Sequence, residues 1–134
     1  MIVADTNLIC YLLITGDRTS AARMALEKDP IWVVPYLWRS EFCNILAGYV
    51  CKKILTCQAA QADLEHALLL LQGKEYSLSP WRIMELAFAS TCSAYDCEFV
   101  ALAQDLGVKL VTMDKQVLTQ FPGTALALDK FVRS

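Results

Sequence analysis

Apolar positions along this chain follow two spacings, and the alternation between them predicts the elements. Short apolar runs at residues 1–4, 31–34 and 109–112 read as strands buried on both faces. A last short run at 124–128, behind the Pro122-Gly123 turn, reads as a further strand. Between these runs apolar residues recur three and four apart, the period of a helix with one inward face. Helices are predicted over 8–14, over 21–28 with Thr19 or Ser20 as cap and Ala22, Ala25 and Leu26 inward, and over about 37–52. Thr56 caps a helix to about residue 71, with Leu64, Ala67, Leu68 and Leu71 inward and Gly73 ending it. Residues 74–79 alternate and read as extended, and Pro80 suits the first turn of a helix over 81–90. The stretch 93–114 gives the clearest pattern. Asp96 is expected as an N-cap and Gly107 as the end, with Phe99, Val100, Ala103 and Leu106 on the inner face and Cys97, Glu98, Gln104 and Asp105 on the outer one. Residues 115–120 form one or two further helical turns.

Short strands alternating with helices imply an α/β fold, a parallel sheet wrapped by helices on both faces. The wholly apolar first strand belongs in its middle. A length of 134 residues fits one domain with one core, and no repeat or linker divides it. No apolar run approaches a membrane span, and MIVADTN is not a signal peptide, so a cytoplasmic location is expected. Six cysteines without a C-x-x-C pair, beside the single His66, argue against a structural zinc site. They read as free thiols, with Cys10, Cys43 and Cys92 buried. His66 reads as an ordinary residue of its helix, not as a catalytic base.

Net charge is −2 and the isoelectric point about 5.3, which argues against holding nucleic acid by bulk positive charge. Lys52, Lys53, Arg82, Lys109, Lys115, Lys130 and Arg133 could still rim a local groove. Four acids change the picture more. Asp5, Asp96 and Asp114 each stand where a strand or loop hands over to a helix, and any one alone reads as a cap. Glu41 lies inside a helix, beside its apolar stripe, where a carboxylate is costly unless paired or bound to a cation. Arg39 and Arg82 are its candidate partners. Asp5 and Asp114 both follow strands of one sheet, at the edge where α/β proteins keep their chemistry. Such a cluster must protonate or hold a cation, and oxygen-only donors suit a hard ion, Mg²⁺ or Mn²⁺.

The blocks Val3-Ala4-Asp5-Thr6-Asn7, Ser40-Glu41, Ser93-Ala94-Tyr95-Asp96 with Phe99-Val100-Ala101-Leu102-Ala103, and Leu110-Val111-Thr112-Met113-Asp114 with Leu118 occur in this order. Through them the chain resembles the PIN-domain ribonucleases, of the kind that act as VapC toxins of type II toxin–antitoxin systems. The resemblance runs nearly end to end. It implies a PIN-like three-layer fold with a parallel sheet of order 3-2-1-4 and a possible short fifth strand. It implies a metal-dependent endoribonuclease whose acidic quartet is Asp5, Glu41, Asp96 and Asp114, with none missing. Asp5 and Asp96 are then the core metal ligands, while Glu41 and Asp114 complete the site or position the water. Thr112 and Asn7 orient the carboxylates, and Thr6 and Ser93 are counted with them as supporting residues. The implied cofactor is Mg²⁺ (or Mn²⁺), the substrate single-stranded or structured RNA, and the products a 5′-phosphate and a 3′-hydroxyl. One departure is Glu98, an added charge that the helical wheel turns away from Asp96 towards solvent.

Mean hydropathy of +0.39 exceeds what so small a domain needs inside, which suggests a homodimer face and a groove for a partner. By resemblance that partner is a cognate antitoxin. Trp32, Trp38 and Trp81 stand in apolar context and read as core or interface. Rival readings stay open. A DNA nuclease of the same fold needs no 2′-hydroxyl. A non-catalytic PIN-like binding module predicts a broken quartet, and this one is whole. Phosphoryl transfer through an aspartyl nucleophile wants a second aspartate where this chain has Asn7.

Overall fold

A computed structural model describes residues 1–134. Five strands form one sheet: β1 (Ile2–Ala4), β2 (Trp32–Pro35), β3 (Glu75–Tyr76), β4 (Leu110–Thr112) and β5 (Ala125–Ala127). All neighbours pair parallel, in the order β3-β2-β1-β4-β5. The expected order, with its fifth strand, is what the chain adopts. Every residue of β1, β2 and β4 is buried, which is why these runs are apolar without alternation.

The helices are α1 (Thr6–Leu13), α2 (Thr19–Lys28), α3 (Trp38–Cys51), α4 (Cys57–Leu70), α5 (Pro80–Phe88), α6 (Ala94–Leu106), α7 (Lys115–Gln120) and α8 (Leu128–Arg133). α6 packs across β1, β2 and β4 and is backed by α5. α1 packs on α2, α3 and α4, and α8 closes over α2, β4 and β5. The core joins Trp32, Trp38, Phe42, Leu8, Ile9 and Leu110, all at most 2% exposed, with the aliphatic middle of α6.

Local chemistry explains most boundaries. Thr56 caps α4 by accepting from the Ala59 N–H, and Pro80 opens α5. Gly107 ends α6 at φ 66°, a left-handed turn in which the Val108 N–H returns to the Ala103 carbonyl.

Several expectations need correction. Asp96 is not the cap of α6. Ser93 is, accepting from the Asp96 N–H at 3.1 Å, and Asp96 sits in the first turn. Cys97 is fully buried because α6 lies between the sheet and α5 and has no wholly outer side over its first turns. Glu98 is half-buried for the same reason. Cys43 is exposed despite its apolar company, and Leu68, expected inward, is 36% exposed; Trp81, at 81% exposure, is not core, which leaves its reading as interface. Neither Thr19 nor Ser20 caps α2. The helix begins at Thr19, whose hydroxyl accepts from the Gly16 N–H and donates to the Ile14 carbonyl. The last strand gives way at Leu128 to α8, a helix that six residues of weak pattern did not announce.

Candidate active site

The register of the sheet places the acids. β1 lies at the centre, and the chain leaves it for β2 on one side and β4 on the other, so a crevice opens at the carboxyl ends of β1 and β4. Ala4 stands opposite Val111, which sets Asp5 beside Thr112 and brings Asp114 to the same edge. The first turn of α6 brings Asp96, and α3 brings Glu41. Asp5, Glu41, Asp96 and Asp114 line one cleft of about 220 Å³, together with Thr6, Asn7, Asn44 and Ile45. No lysine or arginine lines it.

Each acid is held differently. Asp5 occupies the N-cap position of α1 without a well-formed side-chain capping bond. Instead the buried Thr112 hydroxyl donates to its Oδ2 at 2.6 Å, and the same Oγ1 accepts from the Asp114 N–H at 3.0 Å. Asp114 is a true cap: its Oδ1 accepts from the Gln116 and Val117 N–H groups. Glu41 has no basic partner. Arg39 forms a two-pronged pair with Glu75 on β3, and Arg82 faces Gln104, Glu85 and Asp105. What Glu41 does have is the buried Thr6 hydroxyl, donating to Oε1 at 2.7 Å. Thr6, Thr19 and Thr112 are the only buried polar residues, and two of the three hold a cleft acid. A buried hydroxyl needs a partner, and here that partner is a carboxylate.

Burial pushes the Asp5 carboxyl above its ordinary range, hydrogen bonds from the Thr112 hydroxyl and the Thr6 backbone oppose the shift, and the charges of Asp96 and Asp114 add to it. Glu41 is likewise raised by burial first, with Thr6 opposing and Asp5, Asp96 and Glu98 repelling. Glu98 is not among the residues that line the cleft. Four crowded carboxylates without a cation among the lining residues form an all-oxygen donor set suited to a hard divalent ion. No group of three or more His, Cys, Asp or Glu side chains is gathered closely enough to hold an ion by itself. The set fits a cation that keeps several waters and takes one or two carboxylates directly, as Mg²⁺ commonly does.

Of the supporting residues, Thr6 and Thr112 touch acids, Asn7 lines the cleft, and Ser93 acts by capping the helix that carries Asp96. Asn44 and Ile45 were not foreseen. Their signal was spacing, since they follow Glu41 by three and four residues on α3 and share its face. Of the basic residues expected as a rim, Lys115 follows Asp114 at the carboxyl edge, while others stand elsewhere. Lys109 precedes β4, at the opposite end from Asp114, and Arg133 pairs with Asp129 on α8. Lys52 lines a cleft adjoining the acids, joined there by Arg18, which was not among the expected residues.

A parallel sheet of this order with acids at its carboxyl edge defines the class: the PIN domain model matches residues 2–122, and the chain belongs to the PIN domain family. Ribonuclease VapC3 of Pyrobaculum aerophilum is 27% identical over 124 residues, covering 90% of this chain and 95% of that one. Among solved structures, PAE2754 from Pyrobaculum aerophilum matches with a TM-score of 0.79 at 18% identity, covering 98% of this chain and 93% of the other. A toxin-antitoxin complex from Klebsiella pneumoniae matches with a TM-score of 0.69 at 23% identity, over 96% of this chain and 98% of the other. These structural likenesses speak for the fold.

Proposed function

We propose that this chain is a divalent-metal-dependent endoribonuclease and the toxin of a toxin–antitoxin pair. The observation that carries the reading is the convergence of Asp5, Glu41, Asp96 and Asp114 on one cation-free cleft in a chain of the PIN family. The relative named a ribonuclease and the neighbour solved as a toxin-antitoxin complex support it.

Asp5 and Asp96 would hold Mg²⁺ or Mn²⁺, with Glu41 and Asp114 completing the site or positioning water. The ion supplies a water of lowered pKa and countercharge for the phosphate. The rest falls to the chain. Thr112 fixes the Asp5 carboxylate, Thr6 fixes that of Glu41, and Asn7 offers an amide at the cleft mouth. Capping by Ser93 holds the turn that presents Asp96. Cleavage leaves a 5′-phosphate and a 3′-hydroxyl.

Two partners belong to the reading. Trp81, Met84 and Phe88 line one exposed face of α5, at 81%, 42% and 79% exposure, and a second copy of the chain covers it. A cognate antitoxin covers the acids. Free cysteines fit a reducing cytosol, and no helix is long and apolar enough to cross a membrane. The test is end-labelled single-stranded RNA and DNA of one sequence, incubated with Mg²⁺. The reading expects RNA cut to a 5′-phosphate, no cutting of DNA, and loss of cutting with EDTA. Equal cutting of DNA favours the nuclease of broader substrate, and metal saturation without cutting of either favours a binding module.

A further inference from the structure

The largest cleft of the molecule is a chamber beside the acids, about 490 Å³ against their 220 Å³. Asn7, Asn44 and Ile45 line both, so the two are one continuous depression. α1, the loop to α2, and α3 wall the chamber. Its chemistry is the reverse of the acid cleft. Arg18 and Lys52 face it against one carboxylate, Asp17, and neither cation is engaged in a salt bridge. Tyr11 and Tyr49 bring two phenol rings, and the Arg18 guanidinium lies over the Tyr11 ring, 5.4 Å from its centre. Gly48 opens onto the same space, and a Cβ built there meets nothing within 4 Å.

Free cations for phosphate, aromatic faces for a base and an amide for a base edge are what an unpaired nucleotide is recognised by. The volume lies in the range of small-ligand sites, roughly 300–1,000 Å³. Five of the fourteen lining residues are hydrophobic, which suits an apolar partner helix poorly. Building on the ribonuclease reading, we propose that this chamber is a nucleotide subsite. It receives one unpaired nucleotide flanking the bond cut at the acids, with Tyr11 and Tyr49 against the base, Arg18 and Lys52 on adjoining phosphates, and Asn44 at the base edge. The chamber is thereby the sequence selector of the chain.

Gly48→Leu gives a clean test, because it places a good helix former in a helix interior while filling open space, so the fold is retained. It is compared with Tyr49→Leu and Lys52→Gln in the full chain. Binding of a fluorescent RNA pentamer is read by anisotropy in EDTA. Cleavage-site preference on a randomised RNA pool is read with Mg²⁺, and Mn²⁺ affinity and melting temperature serve as controls. All three variants should keep the controls, lose about tenfold or more in RNA affinity, and raise KM more than they lower kcat. Preference at one position beside the cut should relax in Gly48→Leu and Tyr49→Leu. Unchanged RNA affinity and preference in those two overturn the subsite while leaving the ribonuclease reading intact. The same holds if wild type fails to bind the pentamer, or if a partner protein rather than RNA is displaced by filling the chamber. Conversely, chamber-dependent RNA binding by a chain that cuts no RNA supports the subsite and sinks the ribonuclease reading.

Discussion

Thr112 holds two of the cleft acids through one oxygen, donating to Asp5 and accepting from the backbone of Asp114. Thr112→Val keeps the shape, removes both bonds and leaves Asp5 without its side-chain donor. We expect Mn²⁺ affinity by calorimetry to fall about 10- to 100-fold with the fold intact, as for other losses of a ligand-orienting group. Asp5 and Glu41 set a pH dependence. Burial raises both carboxyls, so the folded chain favours their protonated forms. Their stabilising contribution is complete below the ordinary carboxylate range and is lost as pH rises through the raised values. The melting temperature of the metal-free chain should thus carry a term from these groups that declines across that window, and Mg²⁺ should offset it near neutral pH. A titration of melting temperature with and without Mg²⁺ checks both signs. The four acids were legible in the sequence because an acid inside a helix or past a buried strand is conspicuous. Their anchors Thr112, Thr6 and Ser93 are named through the family resemblance alone, without the acid each one serves. Thr6 reads as an ordinary helix-start residue until the fold buries it against Glu41.

At the scale of elements, caps decide where the acids point. Ser93 fixes the first turn of α6, and Asp96 lies within that turn. Ser93→Ala should cost about 1 kcal/mol, a fall of roughly 3–6 °C in melting temperature by calorimetry. It should also weaken metal binding, since Asp96 rides on the frayed turn. The misreading of this cap has a simple cause: Ser93 and Asp96 are both strong capping residues three apart, and the choice between them is made by packing of α6 on the sheet. Strands and long helices were legible from period alone, whereas α8 was not, because its inward residues, Leu128 and Phe131, make too short a pattern. The Arg39–Glu75 pair, with Trp38 Nε1 also donating to Glu75 at 2.7 Å, ties α3 to the edge strand β3. That tie leaves Glu41 free of a basic partner, a relation between distant segments that no local reading supplies.

Over the whole molecule, charge and apolar surface are sorted by place. The carboxyl edge of the sheet gathers the acids, the neighbouring chamber gathers free cations, and α5 carries the exposed apolar face. If two copies pair through α5 as proposed, Phe88→Glu shifts the chain towards monomer in sedimentation velocity without lowering its melting temperature, since Phe88 is 79% exposed. A chain that sediments identically before and after that change removes α5 from the interface. The sheet order followed from strand alternation together with family resemblance. The chamber did not, because its walls come from residues far apart on α1 and α3 that no single motif joins. Cutting of RNA at the acid cleft with a divalent ion is what joins these features. Its most direct test is cleavage of one labelled single-stranded RNA by wild type and by Asp96→Asn at saturating Mg²⁺. Wild type should cut, and the variant should lose about 100-fold or more, the scale of removing a preorganised charge from a reacting centre. Equal cutting by the two proteins would contradict it.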